Sequence, residues 1–340
     1  MRKQRRLKDQ LLSIPAIVIG VLLVVAILIP VVFTRLGVAP YQLQVLISGY
    51  YFAVLASSWA LLAGYAGQFS FAHMAFMAIG AYTAGILGQQ LGTNLITGII
   101  FGMIIAGGFG LIIGFLCLRL RRTYLALFTI AFSEITRLIL NAERQVTGGP
   151  DGMQFQRLVE STTSNVPPYY IHLGLLVAVL VFMYWLANSR FGLFWRSIRE
   201  DEEAAAAMGV HVVRYKVMIF VITAMIAGLA GTIHWHHIGI LTPNNMLIRQ
   251  MSIVITMAVI GGIESLIGAA IGAVLIEYGL ELMRPLLNWR LVAFGLLLML
   301  TLRFFQNGLL YPIVQFIYRR DVGEQTVAKR QADSESNDEQ

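Results

Sequence analysis

Charge is scarce in this chain. Only 13% of its 340 residues are Asp, Glu, Lys or Arg, and the 83 positions from 36 to 118 carry none at all. Soluble domains carry about 25% charged residues, so a soluble globule is excluded. Cysteine is nearly absent too: the single Cys117 rules out an internal disulfide and makes redox chemistry unexpected. The phosphate-cradling GxxxxGK[ST], the HExxH metal motif and the GxSxG elbow are all missing. The chain is therefore not expected to hydrolyse ATP or to carry a catalytic site.

What is present is apolar. Hydrophobic residues make up 57% of the sequence and mean hydropathy is +0.72, which predicts an all-α, polytopic transmembrane bundle. Apolar runs set against turn signals give about ten spans, at 11–33, 42–63, 69–91, 95–118, 123–141, 169–188, 215–238, 250–265, 267–284 and 290–309. With both termini in the cytosol, 18 of the 25 Lys and Arg fall on the inner side, as the positive-inside rule requires. The net charge of +7 then reflects topology, with no call for a nucleic-acid partner. The basic residues 1–10 read as a cytosolic N-terminus followed by a retained anchor, residues 11–310 as the transmembrane domain, and 311–340 as a cytosolic tail, disordered from about 321. Residues 142–168 read as a long outer loop containing the strong turn signal TGGPDG at 147–152.

Several polar groups interrupt the apolar pattern. Gly64, Gly67, Gln68, Ser70 and His73 cluster in GYAGQFSFAH. They describe either a broken helix lining a path or a tight turn at the inner interface, because irregular backbone at membrane depth survives only where protein or a wet cavity receives its polar groups. Glu134 and Arg137 lie three apart within a span, as a structural ion pair or a pathway element. Glu277, Glu281 and Arg284 suggest a local ion network at the outer end of another span. His234, His236 and His237 form an HWHH cluster that reads as a Trp-anchored interface segment, and no metal site is assigned to it. Gly110 with Gly114, and Gly268 with Gly272, have the spacing of close helix packing.

The one hydrophilic island is RFGLFWRSIREDEEAAAAMGVHVVRYK, residues 190–216. Asp201, Glu202 and Glu203 suit the first turn of a short helix, Ala204 to Met208 are compact helix formers, and Gly209 ends it. Such an element fits a groove on a partner, or else it is a solvated amphipathic turn between spans.

The blocks AGYAGQFSFAHMAFMAIGAYTA (63–84), TGGPDG (147–152), the stretch 189–216 and AGLAGTI (227–233) together resemble the permeases of branched-chain amino acid ABC importers, the M-type subunit in particular. The resemblance extends over roughly residues 40–310. It implies a bacterial inner-membrane subunit that works with two cytosolic ATPases, a second related permease, a periplasmic binding protein and membrane lipid. ATP and Mg would sit on the ATPases, and no cofactor on this chain. It makes Glu202, Glu203, Ala204, Ala205 and Gly209 the ATPase-coupling loop, and it suggests Gly148, Gly149 and Asp151 as receptor contacts. The chain departs from the family in GGIESLIGA, where Glu264 and Ala269 replace a small residue and a proline, and in LRFFQNG at 302–308. Relatives of this type also carry urea, short amides or other amino acids, so the solute stays open. An ion-coupled secondary transporter is the rival reading, with a membrane-embedded enzyme behind it.

Overall fold

The computed structural model describes residues 13–35, 39–120, 123–157 and 165–286, with a few isolated positions beyond as far as Arg303. It is an all-α bundle. The helices are α1 (Ser13–Arg35), α2 (Ala39–Ala60), α3 (His73–Leu91), α4 (Leu95–Leu116), α5 (Thr123–Ala142), α6 (Arg144–Thr147) and α7 (Val166–Ala187). They continue with α8 (Arg190–Glu200), α9 (Glu202–Ala207), α10 (Val212–Ile238), α11 (Ile248–Gly261) and α12 (Leu266–Leu282). The described strands are β1 (Met153–Gln154) and β2 (Ile240–Leu241), paired antiparallel with Met153 opposite Leu241.

Among the described residues, five helical stretches are both long and apolar enough to cross a membrane: Tyr41–Tyr65, Leu95–Leu116, Thr123–Ala142, Val166–Ala187 and Val212–Ile238. The count of ten spans is not reproduced. The segment at 250–265 is helical only as α11, whose 14 residues reach about 21 Å at 1.5 Å per residue, short of the roughly 30 Å hydrocarbon core. The segment at 267–284 becomes α12, a 17-residue helix. At 69–91 the first four positions are not helical. The segment at 290–309 and the tail lie outside the continuously described residues.

Two groups of helices build the core. In one, α10 packs along α3 and α4. In the other, α2 packs along α12 and α7 while α11 packs on α12, and α2 also touches α10 and so joins the two groups. Helix α2 and the turn that extends it are the hub, with 89% of the most apolar window buried, whereas the matching figure for α5 is 17%. In lipid the hydrophobic effect does not draw helices together, so close packing of small residues has to. Gly80 of α3 lies against Gly228 of α10, where an added Cβ would meet the Gly228 carbonyl oxygen at 2.7 Å. Gly110 and Gly114 let α4 close on Phe220 of α10, and Gly272 of α12 lies against Gly261 of α11. Ile96, Ile104, Leu111 and Phe115 of α4 and Leu127, Ile135 and Ile139 of α5 remain exposed, forming an apolar outer face suited to lipid or another membrane subunit.

Candidate functional site: a docking loop tied to a broken helix

The hydrophilic island folds as two short helices on a buried base. Ser189 caps α8 by accepting from the Phe191 N–H. Gly192, Trp195 and Ile198, three apart, form the buried stripe of α8, and the indole N–H of Trp195 donates to the Tyr215 carbonyl at 2.9 Å. The Asp201 carboxylate caps α9 by accepting from the N–H groups of Glu203 and Ala204 at 2.9 and 3.0 Å. At the other end Gly209 takes a left-handed φ of +85°. Its N–H donates to the Ala206 carbonyl and the Val210 N–H to that of Ala205, at 3.0 and 3.1 Å, the paired bonds of a Schellman cap. Glu202 anchors the element by pairing at 2.6 Å with Lys216, whose side chain is only 5% exposed. Ala205 is buried on the same base. Ala204, Ala207 and Met208 face outward, Met208 at 86% exposure, so the free face of α9 is small and apolar. Of the five residues expected to couple, Ala205 points into the protein and not toward a partner.

Beside this loop lies the break. Helix α2 widens into a π-helical turn, Leu61–Tyr65. Residues 67–72 follow without helix before His73 opens α3. Gln68, Ser70 and His73 are buried. The freed backbone is met by side chains: Trp59 donates its indole N–H to the Ser70 carbonyl at 2.7 Å, and the Phe71 N–H donates to Thr129 Oγ1 at 2.9 Å. The Ala72 N–H donates to Ser70 Oγ at 3.1 Å, and Gln68 donates its amide to the Ala66 carbonyl at 3.0 Å. Neither ring nitrogen of His73 meets a hydrogen-bond partner among the described residues. The break therefore sits beside the 190–216 loop with its polar groups turned inward.

Arg199, at the end of α8, joins the two regions. Its Nη1 donates to the Gly64 carbonyl and, at 2.9 Å, to Glu264 in the turn between α11 and α12. Nη2 and Nε reach Glu200 at 2.7 and 3.2 Å. The Glu200 carboxylate holds the guanidinium above its ordinary range, burial works against this, and Glu264 adds to it. The preceding turn contributes Arg196, whose guanidinium lies 4.9 Å over the Tyr65 ring. Sequence reasoning missed α8, Arg199 and Lys216. The spacing of Gly192, Trp195 and Ile198 was the signal available.

The TGGPDG turn is ordered on the bundle. Gly148, Gly149 and Gly152 all have positive φ, Gly149 is buried, and Asp151 is exposed. Strand β1 follows and pairs beside the end of α10, with the Phe155 N–H donating to the Gly239 carbonyl at 2.8 Å. A cavity of about 430 Å³ opens here, lined among others by Gln89, Thr93, Asn94, Arg157 and His236. Glu134 and Arg137 form a two-pronged pair within α5, Nε to Oε2 at 3.0 Å and Nη2 to Oε1. Glu281 pairs with Arg284 at 2.9 Å and accepts from the Tyr41 hydroxyl.

The HWHH segment packs inside the bundle. His234, Trp235 and His236 are 5, 8 and 5% exposed. His234 stacks on Tyr51 with 3.9 Å between ring centroids, His172 of α7 packs edge-on to both His234 and His237, and Trp235 donates to the Met77 sulfur. Helix α10 carries these residues alongside α2, α3 and α7 and ends one residue later, at Ile238. Among the described residues no group of His, Cys, Asp and Glu is arranged to hold a metal.

Comparison with known proteins places this geometry. The family described as branched-chain amino acid transport system / permease component matches residues 41–302. The high-affinity branched-chain amino acid transport system permease protein LivM of Salmonella typhimurium is 30% identical over 284 residues, 76% of this chain and 65% of that protein. The LivH permease of the same type of system in Escherichia coli is 24% identical over 273 residues, 74% of this chain and 88% of that protein. The fructose import permease protein FrcC of Rhizobium meliloti is 30% identical over a shorter stretch, 38% of this chain and 39% of that protein. The chain thus spans just under two thirds of the LivM relative. No solved structure matches it.

Proposed function

The chain belongs to the family of branched-chain amino acid transport permease components, and from that premise we propose that it is the membrane-embedded subunit of an ATP-driven importer. Two cytosolic ATPases bind Mg and ATP and dock on α9. A second permease completes the translocation path, and a periplasmic receptor delivers the solute. The subunit sits in a bacterial inner membrane with both termini cytosolic, and it is a transport subunit and not an enzyme. The observation that carries this reading is α9: a capped helix with a small apolar outer face, held to the bundle by the Glu202–Lys216 pair and the buried Ala205. A solvated linker has no reason to be capped at both ends and anchored by a buried cation.

The stroke follows from that anchoring. Closure of the ATPases displaces α9. The element α8–α9 moves as a unit on Trp195, and the break at Gly64 to His73 changes its packing, which converts a movement at the cytosolic face into alternating access. Gly148 and Asp151 are our candidates for receptor contact, with the Asp151 side chain presented outward and the buried Gly149 shaping the turn between them. The cavity beside that turn favours a carboxylate-bearing solute over a neutral amide, because among the described residues Arg157 is the one cation lining it and no acid does. A branched-chain amino acid meets that requirement, and Asn94 and Gln89 supply polar groups for its remainder. The Glu134–Arg137 pair is assigned a structural role.

The test is uptake into proteoliposomes holding the chain with the ATPases, sister permease and receptor of its host. We expect radiolabelled leucine or valine to accumulate with ATP present and without a proton or sodium gradient, and urea and short amides to be excluded. Uptake that follows an ion gradient and persists without ATP would replace this reading with a secondary transporter.

A further inference from the structure

Gly64 is the place where three elements converge. The π-helical turn uses its carbonyls unevenly: those of Leu62 and Ala63 accept from the Gln68 and Gly67 N–H groups, and that of Gly64 accepts from Arg199. A Cβ at Gly64 would run into the Ile263 carbonyl of the α11–α12 turn, and one at Gly67 would stand 3.4 Å from Arg199 Cα. The last turn of α8, the broken end of α2 and the hinge between α11 and α12 are therefore in van der Waals contact. One guanidinium hydrogen-bonds into both partners of α8.

We infer that Arg199 is the positioning residue that carries displacement of the docking helix into the membrane domain, with Glu264 as its second anchor. This rests on the importer reading and adds to it the route of the stroke. The argument is one of rigidity. Arg presents a planar fork whose donors point in fixed directions, and here all three nitrogens are engaged, on Gly64, Glu264 and Glu200. Because only Asp201 separates Glu200 at the end of α8 from Glu202 at the start of α9, and caps both helices, a shift of α9 moves the guanidinium with little slack. Glu264 is 68% exposed, so its ion pair is worth little by itself. Its contribution is geometric, bringing the α11–α12 hinge into the same motion. This also accounts for an acid where the permease resemblance expects a small residue.

Two measurements test the inference. The first compares solute imported per ATP hydrolysed in the reconstituted complex. Arg199→Gln should lower the ratio about tenfold with the complex still assembled, Arg199→Lys should fall between, and Glu264→Gln should lose no more than about threefold. An Arg199→Gln ratio within twofold of the parent would overturn the inference. Should that variant not assemble, an unchanged ratio in Arg199→Lys would overturn it equally. The second needs no transport. Spin labels at Ala206→Cys and Phe69→Cys, with Cys117→Ala, should give one narrow distance distribution that broadens when Arg199→Gln is added, and no broadening would refute a rigid link. Absence of ATP-driven uptake in the parent complex would strike at the importer reading alone, leaving this second measurement to judge the link.

Discussion

Arg137 shows how a single side chain can be both costly and silent. A lone Arg or Glu at the centre of a span costs about 2.5–3.5 kcal/mol on insertion scales, and here each cancels the other one helical turn away. Arg137 is 16% exposed and Glu134 46%, so the pair lies along the outer surface of α5 in this chain. If the role is structural, Arg137→Glu alone should lower the yield of folded protein several-fold, as should Glu134→Arg alone. The exchanged pair Glu134→Arg with Arg137→Glu should return yield and uptake close to the parent, because opposite charges three apart still meet on one face. Normal folding of the exchanged protein with uptake still lost would instead place the pair on the solute path.

At the scale of elements, α9 is the clearest case of local chemistry deciding local structure. No atom lies within 4 Å of a Cβ built at Gly209, so replacing it tests only the left-handed backbone. Gly209→Ala should cost about 1 kcal/mol of local order and Gly209→Asn less. Hydrogen exchange at the Val210 amide reads this directly, because that N–H closes the cap. Protection in Gly209→Val equal to the parent would show that α9 is held by its base alone.

This element was legible in the sequence because its determinants lie within nine residues: an acidic first turn, an alanine run and a terminating glycine. The broken helix was legible as a polar interruption, and its location beside the docking loop was not, since that depends on Arg199 reaching Gly64, 135 positions away. Helix α8 went unseen because its stripe of Gly192, Trp195 and Ile198 begins with a glycine and is flanked by charge. The packing of the histidines was not legible either. The Trp and His of HWHH suit an interface by composition, and α10 does end there at Ile238, but their stacking on Tyr51 and His172 is a tertiary fact. The short reach of α11 was hidden likewise, since an apolar run reports composition and not where Gly261 ends the helix.

For the whole molecule, the distribution of exposed surface says what the bundle must meet. Apolar side chains of α4 and α5 face outward along their lengths, as a lipid or subunit boundary requires, while α2 and α10 close the interior. Lipid can satisfy that outer face, but it does nothing for α9, whose outward Ala204, Ala207 and Met208 stand on a hydrophilic loop. A small apolar knob among charges suits a groove on a partner, which is the use we propose for the order built beneath it. Extraction of the tagged chain from its native host in mild detergent should therefore recover a P-loop ATPase and a second permease of similar size, identified by mass spectrometry. Met208→Glu, which puts a charge on the knob and leaves the Asp201 cap and the Lys216 anchor untouched, should release the ATPase while the sister permease stays bound. Loss of both partners would mean that α9 supports the bundle instead of the docking, and recovery of the chain alone from the parent strain would remove the ATPase from the scheme altogether.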